Sequence, residues 1–290
     1  MAARFTSQTN DVTMASDNGN RFVRAALWLN VRRCARGMVR PNRRTPDVVR
    51  RVYDGERERL GERAAAMTWE DLQYGDSHTT DFVLVDDRVI WTVLTEPRAC
   101  NLRRLEAAVR LLPDKSPTIV EFGSGTGRNL LHLQRLFPAS RCIGLELSPV
   151  SVELARSLAA RFQLNVEFHA CDVTQSVPLE AHSASLVFSC HALEQMPRLF
   201  PAVIARMCDT SSSVVLMLEP IPTLWPWNTR GIASRLRVRA LDRLRGVMPA
   251  LRRVVSSGEW EILMRERLRS GSNPLNETCE VLLRRRINPV

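Results

Sequence analysis

The chain has 290 residues, 44% of them hydrophobic and 25% charged, with a formal net charge of +10. Such a length and apolar content can bury a full core, which excludes a wholly disordered chain and a small disulfide-stapled scaffold. No apolar run reaches the roughly 18 to 20 residues of a membrane span and no signal-peptide core opens the chain, so a soluble protein is expected. The charge is unevenly placed. Thirteen arginines fall between Arg21 and Arg63 and eight between Arg230 and Arg253, whereas Lys115 to Glu219 holds eight basic and nine acidic residues. Basic flanks suit phosphate, nucleic acid or an anionic membrane surface, and solvated helix faces account for them equally well. The seven cysteines show no CxxC pair and no zinc-ligand rhythm, which predicts reduced, mostly buried thiols of a cytoplasmic protein.

In chain order, residues 1–20 are polar with little periodicity and predict a disordered tail. From 21 to 38, Phe22, Ala25, Ala26, Leu29 and Val31 interleave with Arg21, Arg24, Arg32, Arg33 and Arg36, the pattern of a basic amphipathic helix. Such a helix can lie peripherally on a membrane, bind a phosphorylated partner or cap its own domain. Pro41 and Pro46 end it, and Pro46 to Met67 reads as a second charged helix. Phe82–Val85 and Val89–Val93 are β-rich runs around Asp86, Asp87 and Arg88, which predicts a hairpin or an extended lid in the region of Tyr74, His78 and Trp91. Arg98–Leu112 is helical in pattern, with Leu102, Leu105, Val109 and Leu112 on one face.

The stretch TIVEFGSGTGRNLL, Thr118 to Leu131, joins an apolar strand to a glycine turn and a helix beginning near Arg128. Gly123, Gly125 and Gly127 let the backbone turn tightly and approach a ligand. Where a dinucleotide fingerprint places its last Gly or Ala the chain has Arg128, so a nicotinamide site fits poorly. Strand and helix then alternate, as parallel βαβ units require. Strands are expected at Arg141–Glu146, Val166–Ala170, Ser185–Ser189 and Val214–Leu218. Pro149–Gln163 reads as a helix capped by Ser148, and Gln195–Met207 as another. Residues 220–257 form an insertion with Trp225 and Trp227 followed by the second arginine run, placed after a strand's carboxyl end where such sheets bind ligands. Trp260–Leu268 and Thr278–Leu283 flank a turn and predict a closing antiparallel hairpin.

With Glu121 standing before GxGxG, the motif resembles the (E/D)xGxGxG of class I S-adenosylmethionine (SAM) methyltransferases. The likeness runs mainly over residues 118–219 and includes SCHALEQM, Ser189 to Met196, similar to the SxHxLEH string of small-molecule members with Gln195 in its last place. The resemblance implies an α/β fold: a doubly wound, mostly parallel seven-stranded sheet with a C-terminal antiparallel hairpin and an N-terminal helical and β cover. The tail, a cover over 21–97 and a domain over 98–290 would then make up the chain. It also implies SAM as cofactor. Glu121, Gly123, Ser124, Gly125 and Gly127 would order the turn and the methionine part, Glu146 and Leu147 the ribose, Asp172 and Val173 the adenine, and Cys190 would line the site. His191, where cofactor and acceptor meet, is the candidate proton acceptor, an imidazole titrating near pH ~6.5.

The sulfonium makes the methyl group electrophilic enough that alignment of the acceptor is the main requirement, and a base is optional. No metal site is expected, since His132, His169 and His182 share no ligand spacing. The expected activity is methyl transfer to an O, N or C nucleophile of a small or lipid-like, aromatic or anionic molecule. Two alternatives stay open: an RNA methyltransferase tracking phosphates along its arginine flanks, and a SAM-binding partner subunit without turnover. The lack of an NPPY-like string after the fourth strand counts against N6-adenine and glutamine methylation. Nothing in the sequence speaks to oligomeric state.

Overall fold

Short β-branched and apolar runs alternate with helices whose apolar faces point to one side, and the chain folds accordingly. The computed structural model describes residues 19–29, 31, 61, 64, 66–74, 80–93, 95–196, 200–240 and 246–286. The expected tail before Gly19, the 21–38 helix beyond Val31, most of the Pro46–Met67 helix and His78 lie outside the described residues. A seven-stranded sheet has the order β5-β4-β3-β6-β7-β9-β8. Its strands are β3 (Thr118–Phe122), β4 (Arg141–Glu146), β5 (Val166–Ala170), β6 (Ala184–Cys190), β7 (Ser211–Glu219), β8 (Trp260–Arg267) and β9 (Cys279–Arg285). The first five run parallel, and β9 pairs antiparallel with both β7 and β8.

Helices cover both faces. Those over one face are α2 (Thr95–Arg110), α3 (Arg128–Leu136) and α4 (Pro149–Arg161), which bury Leu102, Leu105, Leu130, Leu131 and Val152 with Phe168 and Phe188 of the sheet. On the other lie α5 (Phe200–Thr210), α6 (Thr229–Ala240) and α7 (Val247–Ser256), which bury Val203, Ile204, Val238 and Leu251 with Phe122 and Val187. Successive residues of β6 and β7 alternate between the two cores because strand side chains alternate faces. A fully buried leucine such as Leu105 contributes about 1.5–3 kcal/mol. Ser148 caps α4, its hydroxyl accepting from the Ser151 N–H at 3.1 Å, with Pro149 in the first turn.

Several boundaries depart from expectation. The segment after β6 forms a 3-10 turn, Leu193–Gln195, and α5 starts only at Phe200, because Pro201 is tolerated in a helix's first turn and not deeper. Both β6 and β7 extend past their apolar centres, so that β7 ends on Glu219. Helix α2 begins at Thr95, which brings Arg98 inside its first turns.

The N-terminal part caps the sheet edge. A short helix α1 (Trp69–Tyr74) precedes a hairpin of β1 (Thr80–Val85) and β2 (Arg88–Val93). Asp86 and Asp87 form its two-residue turn with φ of 48° and 65°, the left-handed pair that matches strand twist. Residues 19–29 are helical and dock here, Phe22 stacking on Phe82 at 5.0 Å between ring centroids. The hairpin is fastened to the closing strands by a bridge between Leu84 and Gly271. It is fastened again by charge. Asp87 Oδ1 accepts from Arg230 Nη2 and Arg267 Nη1, both at 2.9 Å, while Arg230 Nη1 donates to Glu277 Oε2 at 2.9 Å. Glu277 is fully buried and Arg230 nearly so, which makes this a latch between the β1–β2 hairpin, α6 and the segment joining β8 to β9.

Candidate functional site

The carboxyl ends of β3, β4, β5 and β6 converge at one edge of the sheet, and the glycine turn after β3 lies across them. Gly123, Gly125 and Gly127 all have positive φ, at 76°, 55° and 75°. Two of them are also bare by necessity. A Cβ on Gly123 would lie 2.4 Å from the Ala192 methyl, and one on Gly127 2.3 Å from Phe168 Cζ. The turn is stitched to the neighbouring strand, Gly123 and Ser124 donating their N–H groups to Leu145 O at 2.7 and 3.1 Å. Glu146, half-buried at the end of β4, accepts from the Gly125 N–H at 2.8 Å through Oε2 and from the Ser148 N–H at 3.0 Å through Oε1. Turn and strand end are therefore held by one carboxylate.

Beneath the turn sits Glu121. Its Oε1 accepts from Asn129 Nδ2 at 2.7 Å, while Oε2 is buried without a hydrogen-bond partner. Burial pushes its carboxyl well above the ordinary range, against the pull of Asn129, and the Glu146 charge adds to the rise. Ser124 Oγ is likewise buried without a partner. Cys190 ends β6 beside this group, 3.7 Å from Asn101 Nδ2 of α2, its thiol pushed well up by burial and then by Glu121 and Glu219. One helical turn before Asn101, Arg98 is half-buried, and its buried Nη1 makes no hydrogen bond. Desolvation lowers its pKa, and no carboxylate is paired with it among the described residues.

On the β5 side, Asp172 Oδ1 accepts from the Thr174 N–H at 2.9 Å and its hydroxyl at 2.6 Å, closing the turn that carries buried Val173. Leu147 follows Glu146 half-buried. His191 leaves β6 with φ of 54°, and its Nε2 lies 2.8 Å from Thr278 Oγ1 of the closing hairpin. The expected site residues thus come from the ends of four adjacent strands. Sequence reasoning missed Asn101, Asn129, Glu219 and Thr278. Asn129, one residue into the helix after the turn, was the nearest to legible; the rest reach the site from elements distant in sequence.

Three arginines of the second run, Arg230, Arg235 and Arg237, make internal contacts, while Arg239, Arg252 and Arg253 are exposed. Arg230 is in the latch, Arg235 donates to the carbonyls of Pro226 and Trp225 and lies 4.1 Å over the exposed Trp227 ring, and Arg237 donates to Asn273 Oδ1 at 2.8 Å.

Strand order, the glycine turn and the acids at the ends of β3, β4 and β5 define the fold of class I SAM methyltransferases. Residues 119–211 match the family described as methyltransferase domain. Solved structures with the same fold include magnesium protoporphyrin IX methyltransferase (ChlM) from Synechocystis PCC 6803 with bound SAM, at 14% identity and a TM-score of 0.55, covering 83% of this chain and 97% of that one. A putative sarcosine dimethylglycine methyltransferase from Galdieria sulphuraria is similar at 13% identity and a TM-score of 0.52, covering 75% and 96%. The [4+2]-cyclase SpnF is similar at 17% identity and a TM-score of 0.54, covering 83% and 96%. No curated protein matches the chain in sequence. Among the described residues no helix is long and apolar enough to cross a membrane.

Proposed function

We propose that the protein transfers a methyl group from SAM to a nucleophilic atom of a small organic acceptor. The observation that carries this reading is a buried acceptor, Glu121 Oε2, left without a partner beneath a turn that no side chain can fill; on α2, one helical turn before the Asn101 that reaches Cys190, Arg98 Nη1 is likewise buried without a partner. Leaving such groups unpaired costs about 1–3 kcal/mol each, and more for a charge, unless a ligand satisfies them. A zwitterion does so: an ammonium for the carboxylate and a carboxylate for the guanidinium. The methionine part of SAM is such a group, and the residues present fit it.

In this reading Glu121 and Ser124 hold the ammonium side directly or through water, and Arg98 takes the carboxylate. Gly123, Gly125 and Gly127 keep the wall bare, Glu146 with Leu147 serves the ribose diol, Asp172 with Val173 serves the adenine, and Cys190 lines the floor. When bound, the cofactor supplies an electrophilic methyl on a sulfonium. The chain's work is to orient the acceptor and exclude water. His191, engaged with Thr278, orders the loop after β6 in preference to removing a proton. The inward use of Arg230, Arg235 and Arg237 argues for a small acceptor over a phosphate track. The six described cysteines are free, which suits a reducing cytoplasm.

Because a cyclase shares the fold, binding and turnover need separate tests. Calorimetric titration with SAM and S-adenosylhomocysteine is expected to show binding that Glu146→Ala and Arg98→Gln each weaken by about 10- to 100-fold, the worth of one charged hydrogen-bonding group. Binding without methyl transfer to any acceptor in a broad small-molecule screen would favour a non-catalytic SAM-binding subunit. No binding at all would remove the reading.

A further inference from the structure

The loop after β6 touches both the glycine turn and the closing hairpin, and it has little regular structure of its own. Ala192 abuts Gly123, and His191 meets Thr278 at 2.8 Å. What holds it is a side chain from the next strand. Glu219, the last residue of β7, is fully buried. Its Oε1 accepts from the N–H groups of Ala192 and Leu193, both at 3.0 Å, and its Oε2 from that of Glu194 at 3.3 Å. Three successive amides converging on one carboxylate make an anion nest whose anion belongs to the protein. They are also the free donors at the start of the Leu193–Gln195 turn, otherwise buried and unmade.

We propose that Glu219 is a positioning residue of the site: its carboxylate gathers the amides of residues 192–194 and thereby sets Ala192 against the glycine turn and His191 against Thr278. The assignment rests on the cofactor reading above only for its effect on binding; the gathering of the amides stands apart from it. The ionised carboxylate is the better acceptor, so the loop is held hardest when Glu219 is charged. Burial pushes its pKa up to about 8, opposed by the Leu193 and Ala192 amides and assisted by Glu194. Among the described residues, the other titratable groups beside it are the Cys190 thiol at the end of β6, the buried Cys279 thiol opposite it on β9, and Glu194, whose Oε1 and Oε2 accept from Gln195 and Asn276. Loop placement is therefore expected to tighten as pH rises through about 8.

The test follows the loop itself. With 15N-labelled protein, the amide resonances of Ala192, Leu193 and Glu194 are expected to titrate together near pH 8 in the wild type and to lose that titration in Glu219→Gln. The conservative Glu219→Asp should keep it, at a shifted midpoint. S-adenosylhomocysteine affinity is expected to fall about tenfold in Glu219→Gln, with a smaller loss in Glu219→Asp. Amides that titrate alike in wild type and Glu219→Gln, or that do not titrate at all, would overturn the proposal. Should Glu219→Gln fail to fold, the wild-type and Glu219→Asp titrations decide alone. A wild type that binds no S-adenosylhomocysteine yet shows the titration would defeat the cofactor reading and leave the positioning role standing.

Discussion

The two halves of the site are built in different ways. In the half formed by β3, β4 and β5, the decisive contacts join residues near in sequence: Asn129 reaches Glu121 across 8 residues, Gly125 reaches Glu146 across 21, and Thr174 reaches Asp172 across 2. The half formed by β6, β7, the insertion and the cover is assembled from afar. There His191 meets Thr278 across 87 residues, Asn101 meets Cys190 across 89, and Arg267 meets Asp87 across 180. Short-range contacts cost little chain entropy and can repeat from fold to fold, while long-range ones depend on everything between them having folded. The first half therefore suits a constant ligand and the second a particular one.

The largest expected effect breaks the second half. Glu277→Ala leaves Arg230 without its fully buried carboxylate partner, with only the part-exposed Asp87 remaining, and should cost about 3–5 kcal/mol, read as a lowered midpoint in urea unfolding. Asp87→Ala, which removes a part-exposed partner, should cost no more than about 1 kcal/mol in the same measurement. Equal losses would mean that the latch is not centred on Glu277.

Gly127→Ala attacks the first half. The left-handed backbone costs about 1–2 kcal/mol, and a methyl 2.3 Å from the Phe168 ring adds about 1–3 kcal/mol of overpacking. Unfolding by urea and loss of S-adenosylhomocysteine binding should report it together. A smaller effect sharpens the role of Glu121. Its pKa is raised in the free protein, and a bound ammonium lowers it again, so binding should release protons and strengthen as pH rises toward that raised value. Calorimetry in buffers of different ionisation enthalpy should show the release, and Glu121→Gln should abolish it. The opposite sign governs stability: a carboxyl with raised folded pKa contributes stability that is present below about pH 4.5 and is lost as pH climbs through the folded value. Glu121→Gln should flatten that decline.

The smallest expected change is His191→Asn, since asparagine tolerates the left-handed φ of 54° and can still bond to Thr278. It should cost less than about 1 kcal/mol and leave methyl transfer within a few-fold. A loss of about 10²–10⁴ in turnover would instead make His191 a general base.

By itself the sequence determined the alternation of strands and helices, the glycine turn, the acids at three strand ends, and the two β-rich runs on either side of Asp86, Asp87 and Arg88. These features follow from side-chain period, from φ above zero and from residues close along the chain, so each local stretch dictates its own conformation. The tertiary structure decided the rest. It engaged Arg230, Arg235 and Arg237 in internal hydrogen bonds, carried β7 on to Glu219 so that one carboxylate could hold the next loop, and buried Arg98 Nη1 without a partner. None of those residues has a local signature, because what makes each of them matter is desolvation and the groups it meets, and both are set only when distant segments pack.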